Sequence, residues 1–190
     1  MNKLLRNLVI GAIAIGGVAG GFAYANHHTS SGFSTSEAYT VVQTGSFALD
    51  MTPDEALPLF TGPGERLWAP GWNPSFLNGD GYEEGTVFVT GGHGDTTYWY
   101  VKAYDTSEHR ASYVRVTPGA DLGSVDVQLV SDGKDGSTVI VSYRLTGLSE
   151  AGNESLRSHY SEEKYAEMME EWRSLINDNR AAIDAHFAAR

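Results

Sequence analysis

The chain contains no cysteine. That excludes a disulfide framework and anchoring through a lipid-modified cysteine. Basic residues are scarce: 13 Lys and Arg face 24 Asp and Glu, a formal charge of −11. Such a surface repels phosphate backbones, so nucleic acid is not an expected partner. Anionic membrane surfaces are disfavoured for the same reason. No internal repeat is present. The motifs H-E-x-x-H, G-x-S-x-G and G-x-x-x-x-G-K-[ST] are all missing. The carboxylates are scattered over loops and an outer helix face, so the sequence names no general acid–base pair.

The residues that are present begin with an export pattern. Lys3 and Arg6 give a positive start, and an apolar run extends from Leu8 to Phe22. It ends at Ala23-Tyr24-Ala25, a small-x-small cleavage site. That order is the signature of a secretory signal, and the run is shorter than the roughly 20 residues of a spanning helix. The expectation is a cleaved signal over residues 1–25, and a periplasmic or secreted protein. The chain would meet a membrane only through this segment, if it stayed uncleaved. Cleavage would leave 11 basic against 24 acidic residues, a charge of −13. It would also expose Asn26-His27-His28 as a free terminus. An amine, two amide nitrogens and the His28 imidazole suit Cu(II) or Ni(II) in square-planar geometry. An incidental polar tail is the preferred reading of those residues.

Residues 26–37 are polar and aperiodic, a linker or disordered arm. Residues 38–190 read as one domain with a substantial core. Ala38–Leu49 is rich in β-branched and aromatic residues and reads as a first strand. Thr52-Pro53-Asp54-Glu55 then has the cap, the first-turn proline and the acidic residues of a helix start. Gly62-Pro63-Gly64 stops that helix, and residues 62–85 read as a Trp-containing loop. From Gly85 the period changes to two. Strands are expected at 86–90, 97–104, 111–117, 124–130 and 138–146. The gaps between them are short, so the strands should form an antiparallel meander with the first strand at one edge. Ser149–Leu156 reads as a short turn. A single helix is expected from Ser161 to about Ala188, roughly 40 Å long at ~1.5 Å per residue. Its apolar stripe must lie across the sheet. The fold class is α+β, a curved antiparallel sheet gripping a long C-terminal helix.

The most specific stretch of the sequence runs Leu57-Pro58-Leu59-Phe60-Thr61-Gly62-Pro63-Gly64-Glu65-Arg66-Leu67-Trp68-Ala69-Pro70-Gly71-Trp72-Asn73-Pro74. With it go Trp99-Tyr100-Val101, Tyr113-Val114-Arg115-Val116-Thr117-Pro118-Gly119 and Ser142-Tyr143-Arg144-Leu145-Thr146-Gly147-Leu148-Ser149. Together with the element order, these resemble the START-like, or SRPBCC, helix-grip superfamily, in a poorly characterised bacterial branch. The likeness spans Tyr39 to Phe187. It implies a cavity between sheet and helix that holds an apolar small molecule or lipid; binding of that kind requires no cofactor. It also leaves a cyclase or dehydratase on a polyketide-like substrate open as an alternative. A protein-interaction module is a third reading.

The candidate ligand contacts lie on the helix, the loop and the strands. Met168, Met169, Trp172 and Ile176 line the helix stripe. Trp68 and Trp72 are either a lid or the anchors of their own loop. Trp99 and Tyr143 stand on apolar strand faces. Arg115, if it points inward, suits a ligand carboxylate or phosphate. Glu65 and Arg66 are expected in a structural ion pair, with each other or with Arg115 and Glu83, and Arg144 is expected to face outward. His93, His109, His159 and His186 read as surface residues. An enzyme would need a buried ionisable group beside a void, with Glu65, Arg115 or a tyrosine as the candidates.

Overall fold

The computed structural model describes residues 38–91 and 96–189. The export segment 1–25, the arm with His28, and His93 lie outside the described residues.

Among the described residues, seven strands form one antiparallel sheet: β1 (Thr40–Leu49), β2 (Ser75–Asn78), β3 (Val87–Thr90), β4 (Thr97–Asp105), β5 (Arg110–Thr117), β6 (Asp121–Ser131) and β7 (Ser137–Gly147). Their order in the sheet is β1-β7-β6-β5-β4-β3-β2. The first strand therefore closes against the last, and β2–β7 run as a meander. The five expected meander strands are all present. The stretch expected to be loop at 62–85 also contains β2, a short edge strand paired with β3.

Between β1 and β2 the chain makes α1 (Pro53–Ala56) and two 3-10 turns, Leu57–Phe60 and Gly64–Leu67. The start of α1 is set by its sequence. The Thr52 hydroxyl accepts from the Glu55 backbone, and the Glu55 carboxylate accepts from the Thr52 backbone at 2.9 Å. This reciprocal box satisfies two donors that a helix end would otherwise leave free.

Three helices come after the sheet: α2 (Glu150–His159), α3 (Glu162–Asp178) and α4 (Arg180–Ala188). The short turn expected at 149–156 is a ten-residue helix capped by the Ser149 hydroxyl. The single long helix expected to 188 is broken at Asn179. Asn177, Asp178 and Asn179 are three consecutive side chains that compete for backbone hydrogen bonds and weaken helix. Asn179 does so here, donating from Nδ2 to the Leu175 carbonyl at 2.8 Å.

The grip depends on α3. Tyr165, Met169, Trp172 and Ile176 are its buried residues. They recur at spacings of three and four, which puts them on one face. The Tyr165 hydroxyl donates to the Val141 carbonyl on β7 at 3.0 Å. Beside it, a Cβ on Gly45 of β1 would stand 2.6 Å from Met169 Cγ and 3.1 Å from the Tyr165 ring. Only glycine lets the helix approach the strand this closely. Gly45→Val is expected to overpack the contact and cost about 1–3 kcal/mol, read as a lower urea midpoint.

One strand departs from simple alternation. Val101 pairs with Tyr113, but Ala103 pairs with Ser112, so Lys102 is an extra residue in β4. Such a bulge reverses the facing of the residues beyond it. Tyr104, which simple alternation would put on the exposed face with Tyr98 and Tyr100, is instead paired with the fully buried Ala111 and packs against the core.

Candidate functional site

The inward faces of the strands and the 60–72 loop enclose an aromatic crevice. Phe88 (β3), Trp99 (β4) and Tyr113 (β5) form one wall, and Val125, Val127 (β6) and Tyr143 (β7) form the next. Trp172 closes it from α3, and Phe60, Gly62, Glu65 and Trp72 close it from the loop. Pairing places the strand contributors: Ala111 faces Val127, Tyr113 faces Val125, and Val125 faces Tyr143. Directly opposed residues of an antiparallel sheet share a face.

The rings support one another. Phe88 stacks on Trp99 at 5.8 Å, and Trp72 meets Trp99 edge-on at 5.7 Å. Phe60 stacks on Trp172 at 6.4 Å. Such tilted and offset pairs hold their partners in defined orientations. The free space is ≈ 400 Å³, including the part open to solvent. It is thin: the centre of a water molecule can range over only ≈ 20 Å³. A buried water needs about 10–15 Å³ by this measure. The crevice as it stands therefore accepts a water, and a larger guest must displace a wall.

The two loop tryptophans act as anchors. Both are buried, and each indole donates to a nearby carbonyl: Trp68 to Leu59 and Trp72 to Gly62, each at 2.8 Å. Trp72 is at the same time part of the cavity wall. Trp99 donates to the Thr90 hydroxyl at 2.9 Å. The Trp172 indole nitrogen is buried without an acceptor among the described residues, so one cavity-wall residue keeps an unused donor.

Among the described residues, Glu65 is the only carboxyl on the cavity wall, which has no Lys, Arg or His. Its backbone is held in the turn by Glu65 N to Thr61 O at 3.0 Å. Its side chain makes no ion pair with Arg66, contrary to expectation. Arg66 turns away instead, donating to the Pro74 carbonyl and lying over the Phe76 ring. Burial without a compensating cation pushes the Glu65 carboxyl up to about 8, since a low-dielectric site penalises the charged form. Glu65 nevertheless keeps some accessible surface, which is consistent with a side chain that faces the crevice. Burial raises the Tyr113 and Tyr143 hydroxyls well above the ordinary range, and Glu65 nearby adds to this. The Tyr113 hydroxyl donates to the Phe60 carbonyl at 2.7 Å. At neutral pH the wall is thus a carboxylic acid and two phenols among apolar rings.

The structure brings Trp72, Trp99, Tyr143 and Trp172 together at this site. Trp68 packs behind Trp172 at 5.4 Å. Met169 and Ile176 are buried off the cavity, and Met168 is half-buried at the rim of the core. Arg115 does point inward, but it is 2.9 Å from Asp121 and within 3.3 Å of the Tyr160 hydroxyl. Its guanidinium also lies over the Trp99 ring, 5.6 Å from the centroid. Arg144 is exposed, as expected. His159 and His186 are exposed, whereas His109 is partly covered and bonded to Asp54 at 3.0 Å. No group of three potential metal ligands occurs among the described residues.

Phe60, Gly62, Phe88, Tyr113, Val125 and Val127 complete the wall and are not among the contacts expected from the sequence. The inward parity of the strands carries the signal for Tyr113, Val125 and Val127.

No family model matches the chain, and no curated protein does. Solved structures do. Norcoclaurine synthase from Thalictrum flavum superposes with a TM-score of 0.56 at 15% identity, over 82% of this chain and 96% of that one. The protein Ara h 8.0201 gives 0.53 at 14%, over 74% and 99%. The Mll3558 protein from Rhizobium loti gives 0.51 at 16%, over 72% and 97%. At these identities the likeness concerns the fold.

Proposed function

Because the chain has the helix-grip fold of the SRPBCC superfamily, we propose that it binds a small, largely apolar molecule carrying one polar group. The ligand lies in the crevice between the sheet, α3 and the 60–72 loop. The observation that supports this is a ring-lined cavity with a lone unpaired carboxyl. Walls of that kind contribute apolar contact, and a few convergent polar groups fix orientation. The free donor on Trp172 adds to the same reading. Burial of Trp68 and Trp72 weighs against the loop as an exposed interaction patch. Export, proposed from Lys3, Arg6 and the Ala23-Tyr24-Ala25 site, makes this a binding protein of the envelope or the exterior.

Benzyl alcohol, an aromatic ring with one hydroxyl, is a fitting probe. It is expected to quench or shift the tryptophan fluorescence saturably, and Val127→Phe, which fills the crevice, is expected to abolish that response. A linear, unsaturable response identical in both proteins would falsify this reading.

A second reading has a specific observation behind it. A protonated carboxylic acid with a pKa near neutrality is suited to donate or accept a proton in a reaction. Glu65 meets that description, which keeps a proton-transferring enzyme open on the same cavity.

A further inference from the structure

Resting on the cavity reading and narrowing its ligand, we infer that the cavity selects a protonated amine on a small apolar body. The Glu65 carboxylate is its counter-ion and the surrounding rings are its cage.

The first observation is a missing partner. Among the described residues, Glu65 takes part in no salt bridge, and no hydrogen bond to its carboxyl is present. The nearby arginines are engaged elsewhere, Arg66 at Pro74 and Phe76 and Arg115 at Asp121. The titratable groups facing Glu65 are Tyr113 on β5 and Tyr143 on β7, both neutral phenols. The site therefore has a place for a negative charge and nothing of its own to balance it.

The wall composition then decides which ligand charge fits. An anion would meet a carboxyl with no Lys, Arg or His on the wall to offset it. A cation meets a wall built largely of aromatic rings, Trp72, Trp99, Trp172 and Phe88 among them, and such rings attract positive charge when water is excluded. An ammonium also donates charge-assisted hydrogen bonds, stronger than those of a neutral hydroxyl. The overall charge of −11 favours the approach of cations as well.

Binding also moves a proton. In the empty cavity Glu65 holds its proton up to about pH 8. An ammonium requires the carboxylate, so its binding expels that proton to solvent, leaving Glu65 ionised and the ligand still protonated. Affinity for the amine must then rise as pH goes from about 6 to about 8, by about tenfold per unit at most, and level off above about 8. A neutral ligand has no such dependence.

The test compares benzylammonium, benzyl alcohol and benzoate by titration calorimetry on the full chain, in buffers of different ionisation enthalpy. The expected result at about pH 7 is benzylammonium at least about tenfold tighter than benzyl alcohol, release of nearly one proton, and no binding of benzoate. Glu65→Gln should reduce the advantage of benzylammonium over benzyl alcohol to within about threefold and abolish proton release. Equal affinities, or amine binding without proton release, overturn the inference and leave the cavity reading standing. Failure of all three probes overturns both.

Discussion

Replacing Glu65 by Gln is expected to stabilise the protein by about 2–3 kcal/mol at about pH 8, and by almost nothing at about pH 4. Proton binding fixes the sign. The folded state holds the Glu65 proton up to about 8, against a reference value of 4.5. A raised acid contributes stability below the unfolded value, and that contribution is lost as pH rises through the folded one. Wild-type stability must therefore fall between pH 4.5 and about 8, and Gln, which cannot ionise, removes that part of the slope. The full gap in pKa would correspond to ~5 kcal/mol at ~1.4 per unit, but Glu65 keeps some accessible surface, and solvent screening reduces the effect. Urea denaturation of both proteins across the same pH range reads the difference directly. Parallel curves would show that Glu65 is an ordinary carboxylate.

Asp121→Ala is expected to cost about 3–5 kcal/mol. Asp121 and Arg115 form a buried pair at 2.9 Å, with side chains 11% and 7% exposed. Burial raises the Asp121 carboxyl, and the guanidinium offsets only part of that. Arg115 stays cationic: burial opposes its charge, but Tyr160, Asp121 and Tyr143 together outweigh burial. Removing Asp121 strands this charge, whose Nε already lacks a partner among the described residues. Across the sheet Arg115 pairs with Gly123. The attraction within the pair mostly offsets its own desolvation, so the double replacement Arg115→Met with Asp121→Leu should cost far less than the single one. Chemical denaturation of wild type, both single variants and the double variant gives the coupling. An additive cycle would mean that the two side chains do not act as a pair.

Much of this fold is legible in the residues. The capping box at Thr52–Glu55 and the period-two strands announce themselves through local chemistry. The spaced apolar residues of α3 do so equally. The features that escape the sequence are decided by small local departures or by distant contacts. The bulge at Lys102 turns Tyr104 inward, and nothing in an alternating pattern marks where an extra residue will sit. The break at Asn179 is written in three consecutive Asn and Asp residues, but the apolar spacing continues through it to Ile183.

The site is legible in kind more than in membership. Trp72, Trp99, Tyr143 and Trp172 stand out as large rings on inward faces. Met169 and Ile176 share the buried face of α3 with Trp172, but Met169 rests on Gly45 of β1, away from the crevice. Arg115 points inward and finds Asp121, six residues on, across the β5–β6 turn. Beside Arg66 in the sequence, Glu65 reads as half of an ion pair. Its actual setting is created when the 60–72 loop folds over β3–β7, strands distant in sequence, and no local pattern encodes that.

The measurement closest to the central claim is a titration of ¹⁵N-labelled protein with benzyl alcohol, following the indole N–H signals of the tryptophans. Saturable, concerted shifts of Trp72, Trp99 and Trp172, absent in Val127→Phe, are the result that binding in the crevice requires. No shifts, or shifts confined to residues outside the crevice, would contradict it.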